Sequence, residues 1–169
     1  MTVVKTTVAD HVGHITLDRP AQLNAITVQL GRELEDALRR LGADPEVRVI
    51  AVRGAGQTFC AGGDFAEVER LRAEGPAGLR PLFEHFAAAC RAIAEIEVPV
   101  VAIVEGSVAA GGFELMQAAD IALVHEDATI ADSHVRFGQL PGGGSTQRLP
   151  RLVGRQQALG LLLSRPDRW

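Results

Sequence analysis

The run Val98-Pro99-Val100-Val101-Ala102-Ile103-Val104-Glu105-Gly106, followed after a turn by Ala110-Gly111-Gly112-Phe113-Glu114, decides the fold of this chain. Its unbroken apolar stretch, bounded by Pro99 and Gly106, reads as a core strand, and Gly111 to Ala119 reads as a short helix. The same design stands earlier in the chain. There Val47-Arg48-Val49-Ile50-Ala51-Val52-Arg53-Gly54 leads to Ala61-Gly62-Gly63-Asp64-Phe65. Glycine carries no Cβ, so each Gly-Gly step lets a main-chain amide approach a ligand closely. Two such amides at the mouths of neighbouring strands can grip one oxygen atom, which is what stabilising an oxyanion or enolate requires.

Outward from these runs, strands alternate with helices. Val3 to Val8 and His14 to Leu17 predict a hairpin around Asp10-His11-Val12-Gly13, ended by Arg19-Pro20. Thr27 is a candidate N-cap for a helix carrying Val28, Leu30, Leu34, Leu38 and Leu41, closed by Gly42 and Pro45. Asp64 to Ala73 predicts a second helix. A longer one is expected from Pro76 to Glu97, with Leu79, Leu82, Phe83, Phe86, Cys90 and Ile93 on its inner stripe. Ile121 to Val124 and Thr129 to Ala131 read as strands, Gly138 to Gly144 as a loop, and Ser145 as the start of the last helices. The alternation defines an α/β fold with parallel strands, expected as one domain over residues 1–169.

With 169 residues and 47% hydrophobic content, the chain can bury a real core. A net charge of −4 with scattered basic residues leaves no electrostatic footprint for nucleic acid or membrane. The N-terminus lacks the features of a leader and no apolar run is long enough to span a bilayer, so a cytoplasmic location is expected. Cys60 and Cys90 do not form a metal-spacing pattern and read as buried free thiols; no metal is expected. The helical pattern of Leu159 to Leu163 breaks off at Ser164-Arg165-Pro166-Asp167-Arg168-Trp169, the expectation being an incomplete domain.

If Gly111 opens a helix, its amide is a first-turn donor without an intrahelical acceptor, and the helix dipole favours an anion there. Glu114, three residues on, shares that helix face. The blander reading makes both Gly-Gly steps ordinary strand-to-helix turns and Glu114 a solvated first-turn residue.

Phe59-Cys60-Ala61-Gly62-Gly63-Asp64 resembles the first signature of the crotonase (enoyl-CoA hydratase/isomerase) superfamily, and Val104-Glu105-Gly106 through Ala110-Gly111-Gly112-Phe113-Glu114-Leu115 to Ala119-Asp120-Ile121 resembles its second. Asp18-Arg19-Pro20 with Leu23-Asn24-Ala25 is similar to its N-terminal motif, and Pro141-Gly142-Gly143-Gly144-Ser145-Thr146-Gln147-Arg148-Leu149 to a later loop and helix start. The resemblance implies a crotonase-like α/β spiral of ββα units and acyl-coenzyme A substrates. It also implies an oxyanion hole of the Gly63 and Gly111 amides. Ala25 and Ala61 are expected along the adenine and pantetheine portions of coenzyme A, with Gly62, Asp64, Phe65 and Gly112 around the substrate. No tightly bound cofactor is implied, coenzyme A being part of the substrate. The family's C-terminal helices, which build a trimer or hexamer, have no counterpart in these residues.

Glu114 matches the first of two catalytic glutamates of the hydratases, while the position of the second holds His134, within Ala131-Asp132-Ser133-His134-Val135-Arg136. Imidazole titrates near neutrality and serves as acid or base, and Asp132 can orient it if both lie on one side. A structural or surface role for His134 is the alternative. Enoyl-CoA hydration is the expected reaction, with isomerisation or another enolate reaction as the alternative and a catalytically weak acyl-CoA-binding subunit as the non-enzyme one. Three other readings are weaker. In Gly54-Ala55-Gly56-Gln57-Thr58-Phe59, Phe59 replaces the third glycine of a dinucleotide fingerprint. Gly142-Gly143-Gly144-Ser145-Thr146 lacks the lysine of a P-loop. A serine hydrolase would recruit Ser107, His134 and Asp132, but Gly-x-Ser-x-Gly is missing.

Overall fold

The structure is a computed structural model that describes residues 2–75 and 77–163. Strand β1 (Val4–Ala9) pairs antiparallel with β2 (Val12–Leu17). Their tight turn is made by Asp10 and His11, both at positive φ (48° and 64°), so the predicted hairpin forms with a shorter turn. The chain then enters α1 (Val28–Gly42), whose first turn is capped by the Thr27 side chain accepting from the Leu30 amide at 3.0 Å. Leu30, Leu34, Leu38 and Leu41 form its inner stripe, fully buried. Each such leucine contributes about 1.5–3 kcal/mol by leaving water.

Strands β3 (Val49–Gly54), β5 (Val100–Val104) and β7 (Ile121–Val124) follow β2 in the main sheet, ordered β1-β2-β3-β5-β7 and parallel from β2 onward. Between each of these strands and the helix after it lies a second, three-residue strand: β4 (Thr58–Cys60), β6 (Ser107–Ala109) and β8 (Thr129–Ala131). These three form a separate parallel sheet ordered β4-β6-β8. Only β8 stands out in the sequence. For β4 and β6 the expected turn is a strand too short to show a period, and its pairing rests on partners about 20 to 50 residues away in sequence (Thr58 with Ser107, Ser107 with Thr129).

The helices are α2 (Phe65–Ala73), α3 (Arg80–Glu95), α4 (Gly111–Ala118), α5 (Ser145–Val153) and α6 (Arg155–Leu163). The result is a spiral of ββα units in which β3-β4-α2, β5-β6-α4 and β7-β8-α5 are successive turns. Two expectations need correction. The long helix starts at Arg80 rather than Pro76, which lies outside the described residues, and it ends at Glu95 rather than Glu97, where Ile96 turns extended (ψ 152°). Phe83, placed on the inner stripe, is 42% exposed, while Ala89 and Ala92 complete that stripe beside Leu82, Phe86, Cys90 and Ile93. Gly31 of α1 lets that helix approach α3 closely: a Cβ there would lie 3.1 Å from the Phe86 nitrogen. The predicted break at Ser164 to Trp169 falls outside the described residues. Among the described residues no helix is long and apolar enough to cross a membrane.

Candidate active site

The two Gly-Gly turns are brought into contact by the pairing of β4 with β6. Gly62 has φ +98°, and a Cβ there would sit 2.7 Å from the Ala110 Cβ and 3.3 Å from the Gly111 nitrogen, so both conformation and space demand glycine. Main-chain bonds on either side of Gly63, from the Ile26 amide to the Gly62 oxygen (2.7 Å) and from the Asp64 amide to the Ile26 oxygen (2.9 Å), fix the peptide chain around it. Ala110 is held at φ 46°, ψ −118°, an unusual conformation for a residue with a side chain, by the hydrogen bond its N–H donates to the Ala131 oxygen (3.1 Å). It turns the chain from β6 into α4, leaving Gly111 as the first helical residue. Among the described residues neither the Gly63 nor the Gly111 amide is engaged by an acceptor. Both line one small cavity of about 60 Å³ with Ile26, Glu114 and His134.

Glu114 is 1% exposed, which excludes the solvated first-turn reading. Its Oε1 accepts hydrogen bonds from the Gly143 amide (2.8 Å) and the Ser145 amide (3.0 Å). Ser145 opens α5, so the carboxylate sits at a helix N-terminus where unpaired amides and the helix dipole favour negative charge. The loop between Pro141 and Gly144 must be glycine-rich for reasons of space. A Cβ on Gly143 would lie 2.4 Å from Phe86 Cε1 and 3.1 Å from Glu114 Cδ. The Arg148 guanidinium clasps this loop by donating to the Gly143 oxygen.

The other carboxylate oxygen, Oε2, lies 3.5 Å from Nε2 of His134. His134 is buried, on a 3₁₀ turn after β8, and its Nδ1 is 3.1 Å from Oδ1 of Asp132, also buried. Burial by itself lowers the pKa of this imidazole. The hydrogen bonds to Asp132 and Glu114, with the charges of both carboxylates, outweigh that and hold it at about 9. The neutral-range titration expected of a histidine is therefore displaced upward, and the group is an imidazolium at pH 7.

A second cavity of about 240 Å³ shares Gly63, Ala110 and His134 with the first and is lined also by Ala61, Phe65 and Phe137. Phe65 and Phe137 meet edge to face at 5.0 Å, both largely exposed. A larger cavity, about 700 Å³ among Phe113, Met116, Gln117, Leu149 and Leu161, contains none of the residues with perturbed or catalytic chemistry and is not the candidate site.

The remaining candidates stand behind the cavities. Asp64 caps α2 by accepting from the Glu67 amide (3.1 Å) and pairs with Arg19 at 2.9 Å. Ala25 is buried and its oxygen accepts from Arg19. Gly112 packs on β4, where a Cβ would meet the Cys60 oxygen at 2.1 Å. Arg19 ties the N-terminal motif to the first Gly-Gly turn through Asp64, and the Asn24 side-chain amide ties it to the turn between β3 and β4 by donating to the Ala55 and Thr58 oxygens (2.9 and 2.6 Å).

Three weaker readings fall. β4, not a helix, follows Gly54-Ala55-Gly56. The Gly143 and Ser145 amides are committed to Glu114 rather than open to a phosphate. Ser107 is exposed at the start of β6, and the partners of His134 are two carboxylates. Cys60 and Cys90 are free and buried, and burial pushes both thiols up to about 12, leaving them unreactive. Among the described residues no group of His, Cys, Asp and Glu is arranged to hold a metal ion. The sequence reading missed the two amides that anchor Glu114. The run of three glycines before Ser145 is the signal for them, since it marks backbone passing close to another group.

A family model described as enoyl-CoA hydratase/isomerase matches residues 7–165. A probable enoyl-CoA hydratase of Mycobacterium leprae is 34% identical over 154 residues, covering 90% of this chain and 58% of that protein. The peroxisomal Delta(3,5)-Delta(2,4)-dienoyl-CoA isomerase of Arabidopsis thaliana is 31% identical, covering 96% and 62%. Among solved structures, an enoyl-CoA hydratase from Polaromonas superposes with a TM-score of 0.90 at 30% identity, covering 95% of this chain and 62% of that one. The chain thus spans less than two thirds of the length of these relatives. Four ordered sequence motifs, the ββα spiral and these likenesses lead to one conclusion: the chain belongs to the enoyl-CoA hydratase/isomerase family.

Proposed function

We propose that this chain acts on acyl-CoA thioesters through an enolate held by the Gly63 and Gly111 amides, and that its reaction is the addition of water to a 2-enoyl-CoA. One observation carries the reading: two amides that no acceptor engages among the described residues, a buried carboxylate and a buried imidazole surround a single cavity. The thioester oxygen accepts from both amides, each donor contributing about 2.7–4 kcal/mol as negative charge develops. Glu114 Oε2 takes a proton from water as the water oxygen bonds to the β-carbon, and the electron pair of the double bond moves into the enolate. His134, an imidazolium at neutral pH, then gives its Nε2 proton to the α-carbon. The proton on Glu114 passes across the 3.5 Å gap to His134, which restores the site.

Family membership supports the coenzyme A assignment, with Ala61 and Phe65 beside the 240 Å³ cavity as the approach for the pantetheine arm and Ala25 and Asp64 shaping the turn behind it. A homo-oligomer, a trimer or hexamer, is part of the proposal only for a protein that carries the family's C-terminal helices. Isomerisation is the second reading, favoured by the same Glu114–His134 pair, since one shared proton suffices to move between the α- and γ-carbons. The test is incubation of pure protein with a panel of enoyl-CoA thioesters in deuterated water. Hydration gives a 3-hydroxyacyl product with deuterium at the α-carbon. Isomerisation gives no added mass of water, and a mere binding subunit gives no product at all.

A further inference from the structure

Asp132 has a costly position in this fold. Its side chain is fully buried, and while Oδ1 accepts from both the amide and the Nδ1 of His134 at 3.1 Å, Oδ2 has no partner among the described residues. A buried carboxylate left partly unsatisfied opposes folding. The energetic sense of keeping it lies in what it does to the ring. Two bonds from one oxygen to the same residue lock the imidazole against its own backbone, and Ser133, at φ 65°, provides the left-handed bend that folds His134 back onto Asp132. With Nδ1 occupied by Asp132, the ring's other edge faces Oε2 of Glu114 and the cavity.

We propose that Asp132 is a positioning residue, whose carboxylate fixes the Nδ1–H of His134 so that Nε2 alone exchanges protons with Glu114 and with the α-carbon of the bound thioester. The final clause rests on the enolate reading above; the hold on the ring does not. The logic is that of any carboxylate that orients a catalytic imidazole: it selects the tautomer and stabilises the charged form without taking the proton itself. The charged groups acting on the ring are Asp132 from the end of β8 and Glu114 from α4.

The test combines ¹⁵N NMR of the histidine ring with kinetics. In the unmodified protein the neutral ring, above its titration midpoint, carries its proton on Nδ1; a proton on Nε2 overturns the proposal. In Asp132→Asn the midpoint drops from about 9 by roughly 1 to 3 pH units, and an unmoved midpoint overturns it. On the enoyl-CoA substrate, Asp132→Ala lowers kcat about 100-fold with KM little changed, and Asp132→Glu restores part of the loss. A rise in KM with kcat intact would assign Asp132 a purely structural role. If Asp132→Asn does not fold, the tautomer in the unmodified protein still decides. If no thioester is turned over by any variant, the NMR result still judges the hold of Asp132 on the ring, and only the enolate reading fails.

Discussion

Nε2 of His134 stands 3.5 Å from Oε2 of Glu114, while the other oxygen of that carboxylate is pinned by the Gly143 and Ser145 amides. One oxygen of Glu114 is thus structural and the other is presented to the cavity. The pair comes from different turns of the spiral, Glu114 from the α4 that follows β6 and His134 from the turn after β8, so its geometry depends on the small second sheet.

Glu114→Gln keeps an oxygen for the two amides but cannot accept a proton. Turnover is expected to fall by about two to four orders of magnitude, with coenzyme A thioester affinity changed only a few-fold. Steady-state kinetics with a parallel binding titration separate the two effects, and full activity in the variant excludes Glu114 as the base.

His134 makes stability and rate depend on pH in a defined direction. Its folded pKa is raised from 6.5 to about 9, so the stabilisation from its charged form is fully present below pH 6.5 and is lost as pH rises through 9. Melting temperature should decline across that window, and His134→Gln should flatten the decline. Turnover should hold through neutrality and fall above pH 9, because the proton donor is then neutral.

Gly143→Ala places a methyl group where Phe86 Cε1 lies at 2.4 Å and the Glu114 carboxyl carbon at 3.1 Å. Over-packing of this kind costs about 1–3 kcal/mol. It also shifts the carboxylate, so kcat should fall more than global stability explains. A variant as active and as stable as the parent would show that the loop adapts and does not position Glu114.

Asp64→Ala removes the cap of α2 and leaves Arg19 without its partner in a mostly buried site. A loss of about 2 kcal/mol or more is expected in chemical denaturation. Burial works against the Asp64 charge, but the Glu67 amide and Arg19 outweigh it and lower the pKa. Its contribution is therefore present at neutral pH and disappears as pH falls through that lowered value; Asp64→Asn should lose this acid dependence.

The main sheet, α1 and the helix at Gly111 are legible in the sequence because each carries its own period or bounding residues: Leu30, Leu34, Leu38 and Leu41 on one face, Val100 to Val104 between Pro99 and Gly106. β4 and β6 are not, because Thr58–Cys60 and Ser107–Ala109 gain their identity from each other and from β8. The Gly-Gly turns and Glu114 are visible as residues. What residue order does not reveal is that Glu114 and His134 are both buried and adjacent, or that two carboxylates lift the imidazole out of the neutral range. Those properties arise only when β8, α4 and the loop into α5 converge.

The proposed reaction depends on two main-chain amides holding the thioester oxygen. A crystal structure with a bound acyl-CoA tests it directly. The thioester oxygen is expected within about 2.7–3.1 Å of both the Gly63 and Gly111 nitrogens, with the α-carbon facing Glu114 and His134. A thioester oxygen that bonds neither amide, or an acyl chain lying outside the cavity they share, would contradict it.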